Sequence, residues 1–442
     1  MRIAKKAGLT AAALILLCGC SVYKEYQRPE GFRTDTLTVI GWEEFFPDTL
    51  LRNLIRTGLE NNPELVSARQ KVIAAQASAK ASRLAYLPGL NLSPSGSLAH
   101  SDERYNGNAF SYSLPLTASW EIDIAGRTFN NRRIAETAAK QSEVYVRSVR
   151  TELVATIADL YYSLLKLDAQ LEVSRTTAES WKENVRTMKA MKEAGMTNEA
   201  SVAQTTANAC SIEASLYDLE YQVSRTQNEL CVLIGIEVQE LKRGSLHDAS
   251  LNEGIPQNVS LSSLGGRPDV QHAELELRKA FYNTALAHAQ FYPSLTINGE
   301  FGWEKALTSP AGWLASAGAG LVQPLFSRGR LKANLTAAQA HQEEAAAAFR
   351  KTLLNAGAEV NDALHLIAST KSKTDVRARQ IESLKSAENS TRQLMRHSES
   401  TYLEVLTAQQ SLLSAQLLQI SDRYDALEGS IALYKALGGG AD

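Results

Sequence analysis

The polarity of the chain changes period at two prolines. Before Pro293 the run "ELELRKAFYNTALAHAQ" is Pro-free, alanine-rich and helix-favouring; after it, Leu295, Ile297, Phe301 and Trp303 alternate with Ser294, Thr296, Asn298, Glu300 and Glu304. "ASRLAYLPGLNLS" makes the same switch at Pro88, 205 residues earlier. In "FSYSLPLTASWEID", Phe110, Tyr112, Leu114, Leu116, Ala118, Trp120 and Ile122 share one face, and Ser111, Ser113, Thr117, Ser119, Glu121 and Asp123 the other. The pattern predicts two β-hairpins, at about 87–124 and about 292–326. Alternation alone also fits any half-buried antiparallel sheet. Here the sequence holds no second sheet or globular helical layer to cover the apolar faces. Lipid would cover them, with Trp120, Trp303 and Trp313 suited to an aromatic girdle.

All eleven prolines lie before residue 116 or between 256 and 324, and the remainder predicts long helices at about 127–234 and about 328–437. Val146, Val149, Leu153, Ile157, Leu160, Leu164, Leu167 and Leu171 form a coiled-coil seam, as do Leu413, Leu417, Ile420, Tyr424, Leu427, Ile431 and Tyr434. From Arg127 to the break near Gly195 a straight helix would run roughly 100 Å, longer than a globular core needs. Heptads alone also fit a structural stalk. Pro63 matches Pro268 and Pro88 matches Pro293 at one offset; Gly126-Arg127 matches Gly329-Arg330 and Val202 matches Val405 at another, two residues shorter. The chain therefore reads as two copies of one unit, 63–266 and 267–442. Pro88 and Pro293 mark the passage from helix to strand, and Gly126 and Gly329 the return.

The first nineteen residues carry basic residues and then an apolar stretch too short to span a bilayer, which predicts a signal peptide. "LLCGC" places Cys20 where a lipoprotein is cut and acylated, so 20–62 is expected to be a lipid-anchored N-terminal segment. Cys210 and Cys231 lie too far apart on one predicted helix to be bridged and are expected to be small core residues. A formal charge of −2 without a basic block gives no sign of nucleic-acid binding. Seven scattered histidines form no catalytic or zinc spacing, so no enzyme activity, metal or cofactor is expected beyond the covalent lipid on Cys20.

"CSVYKEYQRPE", "WEEFFPDTLLRNLIRTGLENNPEL", "SWEIDIAGR", "GGRPDVQHAELEL", "AHAQFYPSLTINGEFG" and "STYLEVLTAQQSLLSAQ", in this order and spacing, resemble the outer membrane efflux protein family in its lipoprotein branch. The resemblance covers nearly the whole chain, and "RPDV" and "YLEVLTAQ" are its most specific parts. It implies a mixed α and β membrane protein: a homotrimer whose twelve-stranded β-barrel, four strands per chain, continues into a long periplasmic α-helical barrel. It further implies the outer membrane of a Gram-negative bacterium, a periplasmic adaptor, an inner membrane pump that is proton-driven, and export of drugs or other small molecules. A duct for type I protein secretion is the rival within that fold, and a lipid-anchored coiled-coil protein the rival outside it. Strand counting agrees with a trimer, since four strands cannot close and eight leave an interior that side chains fill.

The resemblance also implies a gate at the periplasmic tip, formed in the second copy's final helix. Residue by residue this places Leu403 and Thr407 towards the axis and Arg396 against a neighbouring helix. Family members often carry an aspartate where Thr407 stands, and Leu403 also fits the coiled-coil seam. Glu121, Asp123, Glu300 and Glu304 are candidate pore-facing acids, and rings of carboxylates would favour cations.

Overall fold

The computed structural model describes residues 23–28, 41–100, 108–252, 261–305, 311–396 and 402–440. Cys20 and residues 397–401 lie outside the described residues. The chain divides into two units: Met1–Phe32, Arg69–Val144 and Gln271–Thr352 form the first, and Arg33–Ala68, Tyr145–Val270 and Leu353–Asp442 the second.

The first unit is built around one antiparallel sheet. Strand β1 (Gly89–Leu92) and strand β2 (Ser95–His100) both pair with β3 (Asn108–Ile122), which pairs with β4 (Ser294–Lys305), and β4 pairs with β5 (Gly312–Val322). The first arm of the hairpin expected at about 87–124 is split at Pro94, whose missing N–H cannot join the ladder. Because β1 and β2 lie end to end along β3, the sheet has four lanes. Its register sets Leu114 opposite Trp303, Leu116 opposite Phe301 and Trp120 opposite Ile297, and Thr117 opposite Glu300 and Ser113 opposite Glu304. Directly opposed residues point to the same side, so the apolar and polar faces of the strands remain separate across the sheet.

Each lane joins a helix. Helix α3 (Pro63–Leu84) leads into β1, β3 returns into α4 (Arg127–Glu193), α6 (Pro268–Ala289) leads into β4, and β5 returns into α7 (Arg330–Arg396). Within the first unit the helices keep the order of the lanes. Gln76 of α3 donates to Glu143 of α4 at 2.8 Å, Gln141 of α4 to Glu276 of α6 at 2.6 Å, and the Thr284 hydroxyl of α6 to the Ala338 carbonyl of α7 at 3.1 Å. No helix among the described residues is long and apolar enough to cross a membrane.

The second unit has a conventional core. The short α1 (Trp42–Phe45) and α2 (Thr49–Asn61) pack Phe45, Phe46, Leu51 and Ile55 against Leu153, Ile157, Tyr161 and Leu164 of α4, Leu230 of α5 (Glu199–Leu233), and Tyr424, Leu427, Ile431 and Tyr434 of α8 (Tyr402–Ala436). Phe45 stacks on Tyr434 with ring centres 4.2 Å apart. Each such fully buried aromatic or aliphatic side chain contributes about 1.5–3 kcal/mol.

Around residues 153–165 helix α4 is buried beyond the heptad seam, at Val154, Ala158, Tyr161, Tyr162 and Leu165 as well. The reason is the extra layer of α1 and α2, which a two-helix seam does not anticipate. Asp48 caps α2 by accepting from Leu50 N at 2.8 Å, and its other oxygen accepts the Tyr161 hydroxyl at 2.6 Å. The same hydroxyl accepts Gly244 N at 3.1 Å, which favours the phenolate, but burial and the Asp48 carboxylate outweigh it and hold this tyrosine's pKa well above its ordinary value. Cys231 is buried as expected, but Cys210 is exposed, so the core role expected of it is corrected.

Candidate functional site

The sheet presents two chemically opposite faces. On the apolar one, Leu98, Phe110, Leu116, Trp120, Ile297, Phe301 and Trp313 are exposed large hydrophobics, Leu98 at 73% and Trp313 at 70%. Such a continuous surface is too large for water and fits hydrocarbon. Trp313 stacks on Phe301 and meets Trp303 edge-on, each at 5.2 Å between ring centres. Trp120 lies at the other end of the strands, its indole N–H donating to the Tyr86 carbonyl at 2.9 Å. Ile297, opposite Trp120, is six residues from Trp303, about 20 Å along a strand.

Glu121, Glu300 and Glu304 stand on the polar face with Ser113, Thr117, Ser119 and Asn298, and the Ser119 hydroxyl donates to Asn298 Oδ1 at 2.9 Å. That face bears no cation among the described strand residues. Arg127 lies 3.8 Å from Glu121. Asp123 is placed differently from its expected position among the pore-facing acids. It lies just past β3, where its Oδ2 accepts Phe129 N at 2.8 Å and serves the first turn of α4.

The junctions between sheet and helices follow from backbone chemistry. Pro88 and Pro293 each stand immediately before a strand, whose extended backbone suits their fixed φ. Gly126 (φ 71°) and Gly329 (φ 79°) immediately precede α4 and α7 in the left-handed region that other residues avoid. Arg127 then donates to the Ala289 carbonyl at 3.3 Å and the Tyr292 carbonyl at 2.9 Å, a cation at the C-terminal end of α6. Residues 23–28 lie along the same unit: Tyr23 packs on Phe129 and donates to the Asp123 carbonyl at 2.8 Å, and Arg28 pairs with Glu274.

Of the expected gate residues, Leu403 is 63% exposed in the first turn of α8, and the Thr407 hydroxyl donates to the Leu403 carbonyl at 2.9 Å. Arg396 ends α7, and its side chain lies outside the described residues. What the structure adds there is a polar network. Gln409, buried, accepts Asn184 Nδ2 of α4 at 2.8 Å and donates to Glu388 of α7 at 3.2 Å, so the "YLEVLTAQ" stretch ties α8 to both neighbours.

"RPDV" is likewise explained by packing. The Arg267 side chain, 7% exposed, donates to the Ala436 carbonyl at 2.7 Å, to both Asp269 oxygens and to Glu359, while Asp269 accepts Val270 N in the first turn of α6. No group of three or more His, Cys, Asp or Glu among the described residues is arranged to hold a metal.

A two-faced sheet whose lanes run on into long helices narrows the comparison sharply. A model of the outer membrane efflux proteins matches residues 54–236 and 260–439. The chain belongs to the outer membrane efflux protein family. Over 452 residues it is 27% identical to the cation efflux system protein CusC of Escherichia coli O6:H1, covering 96% of this chain and 97% of CusC. It is 31% identical to the pyoverdine export outer membrane protein OpmQ of Pseudomonas putida, covering 94% of this chain and 91% of OpmQ. A crystal structure of CusC matches with a TM-score of 0.85 at 26% identity, over 94% of this chain and 99% of that one. This efflux family member is accordingly an outer membrane channel protein.

Proposed function

We propose that three copies of this chain close a twelve-stranded barrel and form the exit duct of a tripartite pump, through which drugs or other small molecules leave the cell. The observation that carries this is the sheet: four lanes, one face apolar, one polar, and both outer lanes unpaired among the described residues. In hydrocarbon an open edge strands its N–H and C=O groups, so the edges must pair with further copies. Four lanes from each of three chains give the smallest symmetric ring with a water-filled interior.

The equal lengths of α3 and α6 (22 residues), of α4 and α7 (67) and of α5 and α8 (35) support a duplicated unit, each half supplying two lanes. A passive duct needs an energised partner, so a periplasmic adaptor and a proton-driven inner membrane pump complete the system. The seams leave Leu403 and Thr407 at the start of α8, where with Arg396 they close the resting tip. Purified protein in planar bilayers should give discrete conductance steps, and absence of conductance would refute the duct. Reversal potentials under a salt gradient should show mild cation preference, reduced by Glu300→Gln, and Arg396→Ala should raise the conductance. Anion preference would remove the carboxylates from the pore, and unchanged conductance would remove Arg396 from the gate.

Cys20 carries the lipid in this proposal. Tyr23 is held beside Asp123, just past the end of β3, so a residue three positions earlier reaches at most about 10 Å from the junction of sheet and helix. An acyl chain attached there can enter the adjoining leaflet. Cys20→Ala should abolish labelling by radioactive palmitate while the barrel still inserts, because twelve strands anchor more firmly than acyl chains. Retained labelling would assign the acyl group to another residue.

A further inference from the structure

We propose that the first unit carries a binding site for a phosphate group in the crevice between α3 and α4, a property separate from conduction through the duct. The crevice has a volume of about 570 Å³, room for a phosphate ester with part of its alcohol. Lys80, Arg83, Arg133, Lys140 and Arg278 line it against only Glu136 and Glu143, an excess of three positive charges. The two acids are already shared: Glu136 takes Arg83 at 3.0 Å and Arg133 at 3.8 Å, and Glu143 accepts Gln76 at 2.8 Å. Glu25, outside the lining, pairs with Arg133 at 2.6 Å, which leaves an excess of two. Lys80, Lys140 and Arg278 have no carboxylate within ion-pair distance among the described residues. Arg133 and Arg278 each keep a buried Nε without a hydrogen-bond partner.

Five cations converge from three helices, and the three without a carboxylate, Lys80, Lys140 and Arg278, suit a multivalent counter-anion. Phosphate oxygens suit both the planar guanidinium and the point charge of lysine. Carboxylate ligands match two of these cations at a time, whereas a phosphate presents oxygens to three directions at once. The crevice also begins close to the sheet: Arg83 is the penultimate residue of α3 and Arg133 is six residues after Arg127. That position admits either a phosphate-bearing lipid headgroup or a free phosphate.

The test uses the full-length protein. Lys80→Gln with Lys140→Gln removes two exposed cations without touching the packed arginines, and Lys332→Gln with Lys351→Gln, two exposed lysines of α7, removes the same charge elsewhere. Native mass spectrometry of protein from phosphatidylglycerol nanodiscs, with phosphatidylcholine nanodiscs as reference, reads the lipid arm; titration with inorganic phosphate followed by ³¹P line broadening reads the free-ion arm.

The site predicts retention of one phosphatidylglycerol per chain, or saturable phosphate binding, weakened at least tenfold by the crevice pair and not by the α7 pair. Loss confined to phosphatidylglycerol assigns a lipid headgroup, and loss confined to inorganic phosphate assigns a free ion. Equal effects of the two lysine pairs, or binding unchanged by either, would overturn the proposal whether or not the protein conducts.

Discussion

Gly302→Ala is expected to deplete the assembled protein from the outer membrane at least tenfold, whereas Gly318→Ala and Gly320→Ala are expected to leave its level unchanged. A Cβ on Gly302 would lie 2.5 Å from the Leu114 carbonyl oxygen and 2.8 Å from Pro115 Cα. Both are backbone atoms of β3, so relief requires the two central strands to part. At Gly318 and Gly320 the same atom meets nothing within 4 Å. All three glycines project to the polar side of the sheet, so a general dislike of side chains there would penalise all three alike.

The misfit belongs to the overpacking range of about 1–3 kcal/mol per chain, and a symmetric assembly would meet it in every copy. Immunoblots of outer membrane fractions and the fraction of heat-modifiable oligomer on unboiled gels measure the outcome. Wild-type levels of Gly302→Ala would show that β3 and β4 are spaced more widely than this register requires.

The starts of β1 and β4 are legible in the sequence because a proline and a change of period coincide at Pro88 and Pro293. The two-faced character of the sheet is legible for a similar reason: an alternation of period two survives any antiparallel register that pairs like faces. The pairing of β3 with β4 is not legible, since it joins residues some 180 positions apart and depends on which edges meet.

The candidate site divides in the same way. The alternating pattern sets Glu121, Glu300 and Glu304 on the polar face of the sheet, whereas Asp123, one step along the same alternation, is captured by the first turn of α4. Strand end and helix cap compete for that residue, and the hydrogen bond from Phe129 N decides between them. The Asp48–Tyr161–Gly244 network and the bonds from Arg267 to Ala436 and Glu359 leave no periodic trace, because their members come from segments distant in sequence. For "RPDV" the sequence carries the motif but not its reason, which is a buried guanidinium holding the C-terminal turn of α8.

Asp422→Asn should destabilise the second unit by about 3 kcal/mol, the largest effect expected of any single polar change there. The Asp422 side chain, 6% exposed, accepts Arg377 Nε at 2.9 Å and Lys373 Nζ at 3.1 Å, joining α8 to α7. Arg377 is itself only 17% exposed, so removing the carboxylate leaves a guanidinium in a poorly hydrated place. Lys373 is half-exposed and can turn to water, which keeps the expected cost at the lower end for a broken buried pair.

Replacing both partners, as Asp422→Leu with Arg377→Met, should recover much of the loss, because the penalty lies in the unpaired charge. The pH dependence has a definite sign. Burial pushes the Asp422 carboxyl up, but the bonds from Arg377 and Lys373 outweigh it and hold the pKa below the ordinary aspartate value. Its contribution is therefore complete above the unfolded-state pKa of about 3.9 and disappears as pH falls through the lower folded-state value. Chemical unfolding followed by the helical circular dichroism signal should give a constant gap between wild type and Asp422→Asn from about pH 5 to 8, closing only below about pH 4. A gap that closes between pH 5 and 7 would mean that some other group carries the stabilisation. Failure of the double variant to recover would mean that α7 and α8 need the ion pair itself to hold their register.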